Sequence, residues 1–200
     1  MTPGWEEVAR FGRKIVAAGL TSSRFGNISL LREDRILITC AGSMLDELEE
    51  AGVVEVELLG GGHLSARASS ETCVHRAVYL NTPHSAVIHT HSPYAVALSL
   101  LENDAVRPVD SEGGIFLGDM AIVEGSFGTE ELAEAVSSAL QGHKACIARG
   151  HGVFAAGKTL ADAYTAACMA EHSAKVRYLV GAHPWGEKFI SWPSFPLRSG

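Results

Sequence analysis

The feature that most constrains the fold is an apolar run that ends in two histidines, AVIHTH at residues 86–91, followed at once by Ser-Pro. Such a run predicts a buried strand, and the proline predicts the first turn of a helix. Side chains alternate between faces along a strand, so His89 and His91 point the same way, about 6–7 Å apart. Two neutral imidazoles in this arrangement can bind one cation. On these residues alone, a strand that ends in polar residues at the surface is the alternative.

Helical and strand patterns intermix along the rest of the chain without a strict βαβ alternation. This predicts a single α/β domain over residues 1–200 whose sheet contains antiparallel pairs and is layered by helices. The tail, 182–200, is rich in proline and tryptophan, and we expect no regular structure there. Helices are predicted at 5–16, 43–52, 69–81, 92–103, 128–142 and 159–181. Thr129 is expected to cap the fifth of these helices, and Thr159 with Asp162 to form a capping box at the start of the last. Strands are predicted at 27–31, 35–40, 53–59 and 85–91 and on both sides of RGHG at 149–152, whereas 114–118 and 120–125 are expected to be short strands or loop.

Charge and cysteine usage narrow the class of protein. The formal net charge of −7 argues against nucleic acid and acidic membranes as partners, because both require a basic face. The sequence contains no apolar stretch long enough for a membrane span and does not begin like a secretory signal. Its four cysteines are scattered, which favours reduced thiols and a cytoplasmic location over a disulfide framework.

A third histidine, His151, lies between two glycines in RGHGVF. Glycines on both sides allow a tight bend and a close approach to another element, so this side chain can be aimed at a site. Together with His89 and His91 it completes three nitrogen ligands, the set found in catalytic zinc sites that keep one position open. An ordinary turn histidine is the alternative.

The sequence ASSETCVH, 68–75, combines two hydroxyls with a carboxylate where a helix is predicted to begin. Ser69, Ser70 and the free N–H groups of a first helical turn can receive a phosphate. Glu71, expected in that first turn, would face the metal as a general base. Helix capping is the alternative for these residues.

Two glycine turns are further candidates for substrate contact. Asn27 follows glycine in FGNIS and can hold a phosphate or a hydroxyl, while Gly42 in TCAGS allows a close backbone approach. Both can equally be plain turns.

Taken in order, FGNIS, ITCAGS, SSETCVH, HTH and RGHGVFAAG resemble the class II aldolase/adducin family over roughly residues 5–180. The resemblance implies a single three-layer α/β domain with a largely antiparallel central sheet and helices on both faces. It implies His89, His91 and His151 as ligands of one Zn²⁺ per chain, another divalent metal being an alternative. It also implies a homotetramer with the active site at a subunit interface.

The same resemblance assigns roles to the other motif residues. It implies Glu71 as the catalytic acid/base, which also ligates zinc when substrate is absent. The residues implied to bind the substrate phosphate are Asn27, Gly42, Ser69 and Ser70. Arg24 departs from the family pattern and is a further phosphate candidate. The tyrosine proton donors of the family have no clear match, and Asp110 and Glu112 stand in that segment.

The resulting hypothesis is a zinc-dependent aldehyde-lyase. It would cleave a phosphorylated ketose such as fuculose 1-phosphate to dihydroxyacetone phosphate and an aldehyde through a metal-bound enediolate. Methylthioribulose-1-phosphate dehydration and sugar-phosphate 4-epimerisation are the alternatives, although the epimerase branch resembles S-S-D rather than S-S-E. A non-enzymatic, adducin-like binding module is expected to lack the three histidines.

Overall fold

A computed structural model describes residues 4–59, 66–186 and 188, so the glycine run at 60–62 and most of the tail lie outside the described residues. The helices are α1 (Gly4–Ala17), α2 (Thr72–Asn81), α3 (Pro93–Leu101), α4 (Glu130–Ala139) and α5 (Leu160–Gly181). The strands are β1 (Asn27–Arg32), β2 (Arg35–Thr39), β3 (Val53–Glu57), β4 (Ala86–Thr90), β5 (Ala105–Val106), β6 (Met120–Val123), β7 (Ala145–Ala148) and β8 (Gly152–Gly157).

The strands form one sheet in the order β3-β2-β1-β4-β8-β7-β6-β5. Neighbouring strands pair antiparallel except β6 and β7, which run parallel. The expected α/β class with a largely antiparallel sheet is therefore confirmed. The strand that carries the first histidines, β4, lies between β1 and β8 near the middle of the sheet.

Helices cover both faces of the sheet. Because side chains alternate along a strand, neighbours such as Val87 and Ile88 enter different apolar clusters. The cluster with Ile88 contains buried side chains of α1, α3 and α5, and the cluster with Val87 contains those of α2 and α4. The result is the expected three-layer arrangement.

Two predicted elements differ in the structure. The helix expected over 43–52 is replaced by two short 3₁₀ turns, Leu45–Glu47 and Glu50–Gly52. Acidic side chains recur there at three- and four-residue spacing, which disfavours a continuous helix through like-charge repulsion. Most of the segment 114–118, expected to be a short strand or loop, belongs instead to a turn with π-helical hydrogen bonding, Gly113–Leu117.

The helix caps agree with the sequence. The Thr129 hydroxyl accepts a hydrogen bond from the Leu132 N–H at the start of α4. Thr159 and Asp162 form a reciprocal capping box that starts the 22-residue helix α5. None of the described helices is both long enough and apolar enough to cross a bilayer.

Close packing at Gly152 generates a stability prediction. A Cβ at this position would overlap the Thr90 carbonyl oxygen and lie 2.8 Å from Cε1 of His89. Since backbone cannot move aside cheaply, Gly152→Ala should lower the free energy of unfolding by about 1–3 kcal/mol in urea denaturation. A change within about 0.5 kcal/mol, as at an unconstrained surface position, would contradict this packing.

Candidate metal and substrate site

Three histidine rings meet at one end of the central strands. His89 is the last residue but one of the buried strand β4, His91 follows the end of that strand, and His151 lies in the turn before β8. Their ring centroids are 4.7–5.0 Å apart. One nitrogen from each ring lies within 4.8 Å of the others. The structure thus brings together the three histidines that the sequence singled out.

The orientation of His89 is set by its neighbours on β8. Its Nδ1 lies 3.0 Å from the Val153 carbonyl oxygen, and because a carbonyl can only accept, Nδ1 carries the proton. The ring also stacks on Phe154 with centroids 4.2 Å apart. Nε2 is left unprotonated with its lone pair directed away from this hydrogen bond, as a metal ligand requires.

Burial keeps two of these rings neutral. The pKa of His89 is held well below its ordinary value, first by burial and then by the neighbouring His151 and His91. Burial also lowers the pKa of His91, with a further contribution from His151. Neutral imidazole is the form that binds metals, so these side chains are prepared to act as ligands near neutral pH.

Several buried atoms of the cluster lack hydrogen bonds. In the part of the chain that the structure describes, His89 Nε2, His151 Nδ1 and Glu71 Oε1 are buried without a hydrogen-bond partner. Buried polar atoms in proteins are normally satisfied. A divalent cation among them would satisfy all three, and the imidazole and carboxylate donor set suits a first-row metal such as zinc.

Glu71 reaches the cluster from the start of α2. It is the N-cap rather than a residue of the first helical turn, because the helix begins one residue later, at Thr72. The residue is 4% exposed, with Oε2 3.3 Å from His89 Nε2 and Oε1 3.9 Å from His151 Nδ1. The Asn27 side-chain amide donates to Oε2 over 3.0 Å. Asn27 therefore orients Glu71, a role that its turn-like sequence did not indicate.

The cluster opens into a cavity of about 370 Å³. All the other predicted site residues line it: the exposed Arg24, Ser70 and Gly42, and the buried Ser69. Gly42 has a φ of +74°, a conformation that favours glycine, and nothing occupies the place of its missing Cβ. Hydroxyls, an arginine and an open backbone turn thus face the histidines across one cavity.

Asp110 and Glu112 do not line this cavity among the described residues. They instead form a second group with His172, in which the candidate donor atoms lie within 4.8 Å of one another. The structure of this chain therefore does not bring them to the three histidines.

Two aromatic side chains at the cavity were missed by the sequence reasoning. Phe25 is 57% exposed with its ring centroid 5.5 Å from that of His91, and Phe127 is 70% exposed at 6.5 Å from His151. Phe25 is the first residue of the motif FGNIS, which was a usable signal. Phe127 carried none, because its approach to His151 depends on the fold alone.

A second layer of buried polar groups lies behind Glu71. His75, one helical turn beyond it, is fully buried, and its Nδ1 lies 2.6 Å from the Ser29 hydroxyl, which also contacts the Tyr79 hydroxyl. His75 does not belong to the three-histidine group. Burial lowers its pKa from 6.5 to about 3.

The buried His75 predicts a specific loss of stability in acid. Below about pH 6.5 the imidazole of residue 75 binds a proton in the unfolded chain but not in the folded protein. The free energy of unfolding therefore keeps its full value above pH 6.5 and, through this residue, falls by about 1.4 kcal/mol per pH unit from there towards pH 3. In metal-free protein, the unfolding free energy of His75→Gln should therefore fall less steeply than that of the wild type, by about this slope. Urea titrations at several pH values measure it, and parallel slopes would contradict the assignment.

Comparison with known proteins identifies the family to which the chain belongs. The family model for the class II aldolase and adducin N-terminal domain matches residues 6–178. An L-fuculose phosphate aldolase of Methanococcus vannielii is 36% identical over 78% of this chain and 84% of its own. A 3-oxo-tetronate 4-phosphate decarboxylase of Pectobacterium atrosepticum is 30% identical over 88% of this chain and 84% of its own. The crystal structure of L-fuculose-1-phosphate aldolase from Thermus thermophilus superposes with a TM-score of 0.82, at 35% identity over 90% of this chain and 97% of that one. The chain belongs to the class II aldolase family and is an enzyme of that class.

Proposed function

We propose that this enzyme is a zinc-dependent aldolase that cleaves a phosphorylated ketose to dihydroxyacetone phosphate and an aldehyde. The observation that carries the proposal is the meeting of three histidines and one buried carboxylate at the end of a cavity lined by hydroxyls. The similarity to L-fuculose phosphate aldolases supports a ketose 1-phosphate such as fuculose 1-phosphate as the substrate.

His89, His91 and His151 would hold the metal, one ion per chain. Three nitrogen ligands with an open position favour zinc, and another divalent cation is the alternative. When bound, the cation would act as a Lewis acid on the carbonyl oxygen of the substrate and stabilise the negative charge that develops as the C–C bond breaks.

Glu71 would move the proton in the reversible reaction. Asn27 holds Oε2, which leaves Oε1 as the carboxylate oxygen without a hydrogen bond. That oxygen would take a proton from the substrate and return it to the carbon that lost its bond. A general acid–base group needs this combination of a fixed position and a free oxygen.

The phosphate would bind at the hydroxyl side of the cavity. Ser69 and Ser70 offer hydroxyl donors, Gly42 offers an open backbone turn, and Arg24 offers an exposed guanidinium. Arginine can bind phosphate through two parallel N–H bonds, which suits it as the charged part of this site. Fixing the phosphate at one end holds the reacting carbons over the histidines at the other.

Decarboxylation of a phosphorylated 3-oxo acid is a second candidate. The similarity to a 3-oxo-tetronate 4-phosphate decarboxylase supports it. Loss of CO₂ from a 3-oxo acid leaves negative charge on the carbon next to the carbonyl group, as retro-aldol cleavage does. The same metal ligands and carboxylate would therefore serve both reactions. The exposed Arg24, in the cavity, is available to either phosphorylated substrate.

We also propose a homotetramer in the cytoplasm. Large apolar side chains such as Leu101, Phe116 and Trp185 are 59–70% exposed, and subunit contacts would bury such surface. Trp192 and Phe195, which also motivate an oligomer, lie outside the described residues. The four cysteines are free, as expected in a reducing compartment.

Glu71→Gln tests the proposed reaction. Wild-type enzyme should release dihydroxyacetone phosphate from a ketose 1-phosphate, measured by coupled reduction, and the variant should lose about 10²–10⁴ of kcat. Metal content is measured on the same samples, and Glu134→Gln on the exposed side of α4 is the matched control. A fully active, metal-loaded Glu71→Gln enzyme would remove Glu71 from the mechanism. Release of CO₂ or water, or inversion at C4, without a three-carbon phosphate would replace the aldolase assignment.

A further inference from the structure

The turn that carries His91 is very short. Strand β4 ends at Thr90 and helix α3 begins at Pro93, so only His91 and Ser92 lie between them. The position of the His91 side chain therefore depends on how firmly this turn and the first turn of α3 are held. Two separate sets of contacts hold them.

The first set of contacts holds the turn through the buried hydroxyl of Ser92. The Ser92 hydroxyl lies 2.8 Å from the Thr90 hydroxyl and donates to the Leu20 carbonyl over 3.2 Å. Both Thr90 and Ser92 are fully buried. Ser92 is the N-cap of α3, yet its side chain makes no capping hydrogen bond because its hydroxyl is used elsewhere.

The second set caps α3 from another helix. Pro93 has no N–H, and the N–H groups of Tyr94 and Ala95 each donate over 3.0 Å to a different carboxylate oxygen of Glu171 on α5. The next N–H, from Val96, donates to the Ser92 carbonyl over 2.9 Å and starts the helical pattern. The N–H groups of Tyr94, Ala95 and Val96 in the first turn are thus all paired.

A carboxylate is well suited to this place. Its negative charge interacts favourably with the N-terminal end of a helix, and each of its oxygens accepts one N–H. Lys175, one turn beyond Glu171, places its ammonium 5.4 Å from the Tyr94 ring centroid. Helix α5 therefore determines where α3 begins, two residues after His91.

We propose that Glu171 is a positioning residue for the metal ligand His91, acting by capping α3 from α5. This inference rests on the proposed metal site. Glu171 touches neither the histidines nor the substrate cavity among the described residues. Its effect is transmitted through the two residues that separate His91 from the capped turn.

Glu171→Gln tests the inference because it keeps the shape of the side chain while replacing one acceptor with an NH₂ group. In metal-free protein, hydrogen exchange at the Tyr94 and Ala95 amides should accelerate. Zinc affinity, measured by competition with a chromophoric chelator, should fall by about tenfold, as for indirect supports of metal ligands. Asp162→Asn is the matched control, because it makes the same carboxylate-to-amide change in the capping box at the start of helix α5, where the carboxylate accepts from Thr159, without touching α3.

The control separates positioning from general stability. We expect Asp162→Asn to lower the urea midpoint at least as much as Glu171→Gln while keeping wild-type zinc affinity. Wild-type zinc affinity in Glu171→Gln, or an equal loss in Asp162→Asn, would overturn the positioning role alone. A wild type that binds neither zinc nor another divalent cation would overturn the proposed function and this inference with it.

Discussion

The antiparallel pairing of β4 with β1 on one side and β8 on the other is the interaction on which the site depends. In this register His89 lies opposite Asn27 on β1 and opposite Phe154 on β8. One row across three strands thus contains the first histidine, the amide that orients Glu71 and the ring that stacks on His89. A shift of one residue in either pairing would turn these side chains to the opposite face and dismantle the row.

The buried polar groups of the site present lone-pair atoms that have no hydrogen-bond partner within the described residues. His89 has its proton on Nδ1, fixed by a backbone carbonyl, and burial keeps the ring neutral. Asn27 occupies one oxygen of Glu71, so the other remains available. Unpaired buried atoms cost free energy in the folded chain, and such costs are characteristic of functional sites rather than of a core. The same atoms that lower the stability of the folded chain would bind the cation and move the proton.

Much of the fold and the residues of the site could be predicted from local patterns. The H-x-H spacing, the glycines around His151 and the caps at Thr129 and Thr159 act over a few residues. The structure brings the three histidines together and contains both caps. The sequence could not show what depends on distant segments. Asn27 contacts Glu71 across 44 residues of sequence, and Glu171 contacts the start of α3 across 76–77. Both contacts exist only because distant elements pack together. The helix predicted over 43–52 was wrong because the two buried leucines of this acidic segment have the spacing of an apolar helix face.

The central claim is that His89, His91 and His151 bind one divalent cation per chain, and zinc binding to the isolated protein tests it most directly. Protein stripped with a chelator and titrated with Zn²⁺ should bind one ion per chain. His151→Gln should bind Zn²⁺ much more weakly than the wild type. His75 is also near Glu71 but is not a ligand, so His75→Gln should keep the wild-type stoichiometry. A wild type that binds no divalent cation, or a His151→Gln protein that binds zinc as tightly as the wild type, would contradict the account.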